Sequence, residues 1–254
     1  MLGYSELMST IVVTGASGGI GAEVARLAAA RGVPVAVHFL QNKRAAEALV
    51  EEIVSAGGRA LAFQADIGGE QDVVRLFDRA ARELGPVAGL VNSAGVVGGL
   101  MRVESVTADA LEEVFRVNVI GTILCCREAV KRMSTAHGGS GGSIVNVSSI
   151  ASRIGGAGEW VHYAASKGAV DSFTLGLARE VATEGVRVNA VSPGIVETDL
   201  HAKAGAPDRL ERMAPGIPMK RPGTPEEVAQ TILWLLSDAP AYITGSILEI
   251  GGGR

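Results

Sequence analysis

Tyr163 and Lys167 stand four residues apart in Tyr163-Ala-Ala-Ser-Lys167, inside a stretch of helical periodicity. That spacing puts both side chains on one helix face, with the phenol within reach of the ammonium. A free phenol titrates near pH ~10 and shuttles protons poorly at neutrality, and an adjacent cation lowers that value by favouring the phenolate. A shift of ~3 units takes roughly 4 kcal/mol of differential stabilisation, within the means of a lysine and a second bound cationic group. The pair is suited to acid–base work on an oxygen.

A second pattern serves binding. Ile11-Val-Val-Thr14 reads as a strand and runs straight into Gly15-Ala-Ser-Gly-Gly-Ile-Gly21 and then a helix. Glycines in such a turn let the backbone bend sharply and approach a pyrophosphate, whose charge is favoured by unpaired N–H groups and by the positive end of the helix dipole. Gly15, Ser17, Gly18, Gly19, Ile20 and Gly21 are therefore expected at a dinucleotide. Gly15-Ala-Ser-Gly-Gly19 and Gly138-Gly-Ser-Gly-Gly142 also satisfy the G-x-S-x-G pattern of a hydrolase elbow, but neither has the right context. The first lacks a suitably placed downstream histidine, and the second precedes a strand.

These residues need a scaffold. The chain has 254 residues, of which 47% are hydrophobic and 20% charged, enough for one large α/β domain with a substantial core. Short apolar runs near 10–14, 33–39, 59–63, 87–92, 143–148, 186–191 and 246–250 alternate with helical patterns near 19–31, 42–56, 70–84, 107–134, 161–183 and 225–237. That alternation predicts repeated βαβ units, hence a doubly wound parallel sheet of about seven strands with helices on both faces. Residues 1–9 read as a tail and 10–254 as a single domain. The stretch 194–223 holds Pro207, Pro215, Pro218 and Pro222 and only a short helical segment around 208–213, so it is expected to cover the site as a lid.

A net charge of −4 with no Lys/Arg cluster argues against nucleic acid as a partner. The absence of a signal-peptide pattern and of an apolar run of spanning length leads to the expectation of a cytoplasmic protein without membrane contact. Cys125 and Cys126 read as ordinary helix residues, and no metal-ligand spacing is visible.

The tyrosine and lysine keep company that raises their significance. Ser148-Ser149 ends a strand upstream, Asn118 lies in Arg116-Val-Asn-Val-Ile-Gly121, and Asn92-Ser-Ala-Gly95 ends another strand. With the glycine turn, this set resembles the short-chain dehydrogenase/reductase family over nearly the whole chain. The resemblance implies a Rossmann-type fold and an NAD(P)-dependent oxidoreductase acting on a carbonyl or alcohol. It assigns proton transfer to Tyr163, ribose contact and pKa depression to Lys167, contact with the reacting oxygen to Ser149, and a relay water to Asn118. It places Asp66 and Ile67 at the adenine, Asn92, Ala94 and Gly95 at the adenosine side, and Pro193, Gly194, Val196 and Thr198 at the nicotinamide amide. Ser93 stands where the family usually has a second Asn, and Gly251 where an Asp is common.

NAD-specific sites commonly carry an acid at the end of the second strand, facing the ribose 2′-OH. Here the segment is His38-Phe-Leu-Gln-Asn-Lys-Arg44, with no acid and with donors at Asn42, Lys43 and Arg44, so NADP(H) is expected ahead of NAD(H). Val96, Ile154, Trp160, His162, Leu200 and Met213 are candidates for the substrate pocket. His38 and His201 read as structural or surface residues. Helices 107–134 and 161–183 are apolar on more than one face, and the family implies a homo-oligomer, a tetramer or a dimer. A nucleotide-binding sensor without turnover is the alternative reading.

Overall fold

In a computed structural model, which describes residues 9–254, the chain forms one seven-stranded parallel sheet. The strands are β1 (Thr10–Thr14), β2 (Val35–Phe39), β3 (Ala60–Gln64), β4 (Val87–Asn92), β5 (Gly142–Val147), β6 (Val186–Pro193) and β7 (Ile247–Ile250). The helices are α1 (Gly19–Ala30), α2 (Lys43–Ser55), α3 (Glu70–Leu84), α4 (Ala108–Phe115), α5 (Thr122–Met133), α6 (Ala151–Ile154), α7 (Val161–Glu180), α8 (Leu200–Lys203), α9 (Arg209–Met213) and α10 (Pro225–Leu233). The expected tail, apart from Ser9, lies outside the described residues.

The central strands are mostly apolar because both of their faces are covered. Ile11, Val13, Val35, Val37 and Phe39 turn to the side packed by α1, α2 and α10. Val12, Ala36, Leu90, Ile144 and Val188 turn to the other, against α3, α5 and α7. Cys125 and Cys126 are buried on this second side as free thiols, and burial pushes the Cys126 thiol up to about 12, which suits packing and not nucleophilic chemistry.

The strand order is β3-β2-β1-β4-β5-β6-β7, so the chain leaves β1 in one direction and returns after β3 to lie on its other side. At that reversal the connections after β1 and β4 diverge and leave a crevice beyond the strand ends, where ligands of open α/β sheets bind.

Two helices differ from the sequence expectation. The helix expected over 107–134 is interrupted by a π-turn at Arg116–Gly121, between α4 and α5. The interruption follows from tertiary contacts: the Asn118 side chain is turned inward, and Gly121 rides so close to Ile67 that an added Cβ would lie 2.8 Å from its Cγ1. The helix expected over 225–237 likewise ends in a π-turn at Trp234–Asp238. Within 194–223 the short helix expected at 208–213 is present as α9, and α8 is an additional one.

Candidate active site

The crevice is a cleft of about 680 Å³ at the carboxyl ends of the strands. Every residue expected at catalysis or at the cofactor lines it except Gly21, Lys43, Arg44, Asn92 and Asn118.

The turn between β1 and α1 forms one rim. Gly15 and Gly19 have positive φ, +67° and +53°. A Cβ at Gly15 would lie 2.7 Å from the Ala94 backbone, and one at Gly21 would lie 2.7 Å from the Gly15 carbonyl oxygen. Gly21 therefore lies behind the cleft and lets the helix close on the turn. Gly18, in contrast, has open space beside it, and α1 begins there with no side-chain cap and no acid in its first turn. An uncapped helix N-terminus under a bare backbone is a cradle for a phosphate, so these residues fit a dinucleotide.

His38 holds this turn. Its buried Nδ1 accepts the Gly15 N–H at 3.0 Å, and its Nε2 lies 3.0 Å from the Ala65 carbonyl oxygen. A carbonyl only accepts, so Nε2 carries the proton and the ring is neutral; burial lowers its pKa accordingly. The His38 carbonyl also accepts the Ala16 N–H at 2.9 Å. His38 is thus structural, as the sequence reading had it, but its task is specific. Thr14 does similar work for β4: its hydroxyl oxygen accepts the N–H groups of Ser93 and Ala94, both at 3.1 Å.

On the adenosine side, Asp66 accepts from Gly68 N–H at 2.9 Å and from Arg116 Nη1 at 2.6 Å. Arg116 also lines the cleft, a residue quoted in the sequence motif without a role. Leu40, Gln41 and Asn42 line it beyond β2, with Asn42 also capping α2 by accepting the Ala45 N–H at 3.3 Å. Lys43 and Arg44 do not reach it: both are exposed, and Lys43 lies 3.6 Å from Glu47 on its own helix. They point outward because Ala46, Leu49 and Ile53 take the face of α2 that packs on the sheet.

Asn92 differs from expectation as well. Its side chain is buried in a polar chain inside the sheet, donating to Asn146 Oδ1 at 2.9 Å and to Cys126 Sγ at 3.2 Å. Only its neighbours Ser93, Ala94 and Gly95 reach the cleft.

α7 carries Tyr163 and Lys167 into the cleft, both almost wholly buried. Lys167 Nζ donates to the Val147 carbonyl at 2.8 Å and lies 5.7 Å from the centre of the Tyr163 ring. Burial draws the lysine down to about 8, against the attraction of the Asp171 carboxylate. Burial also pushes the Tyr163 phenol up to about 12, with a hydrogen bond from Ser149 acting the other way. The phenol is therefore not depressed in the chain by itself, where burial dominates. At neutral pH the phenol keeps its proton.

The two serines separate cleanly. Ser149 is the serine whose hydroxyl draws the Tyr163 pKa down against burial, and its oxygen accepts the Ala151 N–H at 3.1 Å, whereas the Ser148 hydroxyl is turned back to the Lys167 carbonyl at 3.3 Å. Asn118 sits just behind: Oδ1 accepts the Val96 N–H at 2.9 Å, and Nδ2 donates to the Val96 carbonyl at 2.8 Å and to Ser166 Oγ at 3.0 Å. It pins the Gly95–Val96 loop, where an added Cβ on Gly95 would meet Asn118 Oδ1 at 3.3 Å and Lys167 Nζ at 3.6 Å.

The remaining rim comes from the end of β6. Ile150 N–H donates to the Pro193 carbonyl at 3.0 Å, and Gly194 N–H to the Ile250 carbonyl at 2.9 Å. Thr198 approaches the glycine turn, with its Cγ2 3.2 Å from where a Gly19 Cβ would sit. Val196 bridges to Gly223 and so closes the base of the 194–223 segment. Of the expected pocket residues, Val96, Ile154, Trp160 and Leu200 line the cleft; His162 and Met213 do not. Glu159, His201 and Arg209 line it too. Their partnership joins residues about forty to fifty positions apart, and no local sequence pattern announces it.

A glycine-lined, uncapped helix end facing a buried tyrosine, lysine and serine defines a dinucleotide-dependent oxidoreductase. The comparisons agree. A family model described as enoyl-(acyl carrier protein) reductase matches residues 15–254. The uncharacterized oxidoreductase YgfF of Escherichia coli (strain K12) is 51% identical over 97% of this chain and 100% of its own. A short-chain type dehydrogenase/reductase from Mycobacterium marinum superposes with a TM-score of 0.90 at 32% identity, covering 99% of this chain and 98% of that one. A blue fluorescent protein from a metagenomic library, solved in complex with NADPH, superposes at 0.87 with 32% identity, over 96% and 97%. The chain belongs to the short-chain dehydrogenase/reductase family and is an NAD(P)-dependent oxidoreductase.

Proposed function

We propose that the protein transfers a hydride between NADP(H) and the carbonyl or alcohol carbon of a small substrate, with Tyr163 moving the proton at that oxygen. The observation that carries this reading is the buried Tyr163 phenol, beside Ser149 and one helical turn from Lys167, in the cleft that the glycine turn opens. The bound nicotinamide supplies or takes the hydride. In reduction, neutral Tyr163 gives its proton to the carbonyl oxygen while Ser149 holds that oxygen in place. The phenolate left behind is favoured by the Lys167 ammonium. Asn118 fixes the loop against Lys167, and a water held at Asn118 completes the proton path to the lysine. In oxidation the same steps run backwards.

Support for NADP(H) over NAD(H) is the lack of an acid among Leu40, Gln41 and Asn42, together with the NADPH-bound structural relative. On the cofactor side we assign the remaining contacts to Asp66 and Ile67 at the adenine and to Pro193, Gly194, Val196 and Thr198 at the nicotinamide. The 194–223 segment, carrying α8 and α9 over the cleft, acts as a lid. The exposed Leu111, Ile120, Ile123 and Leu175 on α4, the π-turn, α5 and α7 support a homo-oligomer. A catalytically silent sensor has no feature in its favour, and the presence of Ser149, Tyr163 and Lys167 together in the cleft supports turnover.

The test is a panel of ketones, aldehydes, alcohols and an α,β-unsaturated thioester, followed by NADPH absorbance with Tyr163→Phe as control. Carbonyl-dependent oxidation of NADPH that disappears in the variant is the expected result. Tight NADPH binding with no turnover across the panel overturns the reading.

A further inference from the structure

Most of the charged side chains that line the cleft answer one another. Arg116 pairs with Asp66 at 2.6 Å, Arg209 with Glu159 at 2.5 Å and Lys203 with Asp199 at 3.9 Å, while Lys167 is held by the Val147 carbonyl. Glu113 stands one turn of α4 before Arg116, toward the adenosine side. Arg254 lines the cleft too, and among the described residues its guanidinium has neither a hydrogen-bond nor an ion-pair partner.

The strand order sets Arg254 at the substrate end. The glycine turn lies beyond β1 and Asp66 beyond β3, whereas Arg254 follows β7, at the opposite edge of the sheet and past the β5 end that carries Ser149. A Cβ on Gly251 would lie 3.7 Å from Ile150 Cγ2 and 3.8 Å from Arg254 Cβ, so the arginine stem starts close to the residue that follows Ser149. The position is held from several sides. Gly252 and Gly253 turn the chain with φ of +62° and +89°, the Gly252 carbonyl accepts the Met219 N–H at 3.2 Å, and Arg254 N–H donates to the Gly251 carbonyl at 3.2 Å. Arg153 Nη2 donates to the Arg254 carbonyl oxygen at 3.2 Å, and its Nε engages Glu249 of β7 at 2.8 Å. Gly251, where the family commonly has an Asp, adds no carboxylate of its own.

A planar guanidinium without an acid beside it, on the substrate side of a cleft, suits a carboxylate. We propose that Arg254 receives a carboxylate of the substrate, displaced from the reacting carbonyl toward the β7 edge, and that the enzyme therefore prefers oxo acids to neutral ketones. The inference rests on the reading of Tyr163 as proton donor to that carbonyl.

The test compares NADPH-dependent rates on oxo acids of increasing spacing between carbonyl and carboxylate, on their methyl esters and on the matching plain ketones. At one spacing the wild type is expected to favour the acid over both neutral partners by about tenfold or more in kcat/KM, mainly through KM. Arg254→Gln should cut that acid-to-ketone ratio by about tenfold, and Arg254→Lys should keep part of it. Gly251→Asp brings a carboxylate to Arg254 without steric conflict, since the atom nearest its Cβ lies at 3.6 Å; it should abolish the preference, which Gly251→Ala should retain. Calorimetry on the NADPH complex, with the carboxylic acid of the same length lacking the oxo group, should show binding that weakens about tenfold in Arg254→Gln and in Gly251→Asp. No preference for the acid at any spacing, a preference that survives Arg254→Gln, or a loss of NADPH affinity in that variant overturns the proposal. Absence of turnover on acids, esters and ketones alike overturns the reading of Tyr163 instead, and the calorimetric comparison then still decides for or against Arg254.

Discussion

Lys167 lies 5.7 Å from the centre of the Tyr163 ring and gives its hydrogen bond to the Val147 carbonyl, not to the phenol. The ammonium is therefore anchored to β5 and makes no hydrogen bond to the phenol. With the lysine near 8 and the phenol near 12, both carry their protons at neutral pH, the state from which a carbonyl oxygen can be protonated. Reduction should lose kcat/KM as pH rises through about 8, when Lys167 becomes neutral. A profile flat across that range would dissociate the lysine from the proton step.

Removing the phenol is the sharper test. Tyr163→Phe should lower kcat by roughly 10²–10⁴-fold, the usual range for a positioned acid, while thermal stability and NADPH binding stay close to wild type. Steady-state kinetics beside a melting curve separate chemistry from folding.

The serines make a matched pair. Ser149→Ala should depress kcat by ~10-fold or more, because it removes the hydroxyl that draws the Tyr163 pKa down. Ser148→Ala removes only a bond to the Lys167 carbonyl and should act mainly on the melting temperature. The reverse ranking would move the oxygen-binding role to Ser148.

Much of the fold is legible in the sequence because both sheet faces are covered. The apolar runs Ile11-Val-Val and Ile144-Val145 can only be interior strands, and the glycine turn between β1 and α1 declares itself by Gly15 and Gly21, whose Cβ atoms would strike backbone. The π-turn around Asn118 was hidden, since it depends on Val96, Ser166 and Ile67 from three distant segments. Lys43 and Arg44 read as cofactor donors because they follow an acid-free strand end, but the packing of Ala46, Leu49 and Ile53 turns them to solvent. His38 went without a task because both of its partners are backbone groups, which carry no sequence signal.

Coenzyme choice can be tested at Leu40, which lines the cleft just past β2. Leu40→Asp places a carboxylate where the ribose edge is expected and should shift the kcat/KM ratio toward NADH by repelling a 2′-phosphate. An unchanged ratio would place the 2′-position elsewhere.

Acid should weaken the fold. Burial lowers the pKa of His38, and burial with the Arg209 charge lowers that of His201 to about 4. Below the ordinary histidine value of ~6.5 the unfolded chain binds protons that the native one refuses, so stability is complete above that pH and declines below it. The melting temperature should fall between pH ~7.5 and ~5, and His201→Phe, which retains a ring on Trp160, should make the fall shallower.

His38 joins the ends of three neighbouring strands through one imidazole, and it stands two residues before Leu40. On the coenzyme reading proposed above, the shape of the phosphate cradle and the choice of coenzyme fall to neighbouring residues at the end of β2. A coenzyme swap on that reading begins downstream of the imidazole and leaves it in place, because His38 holds the turn through Gly15.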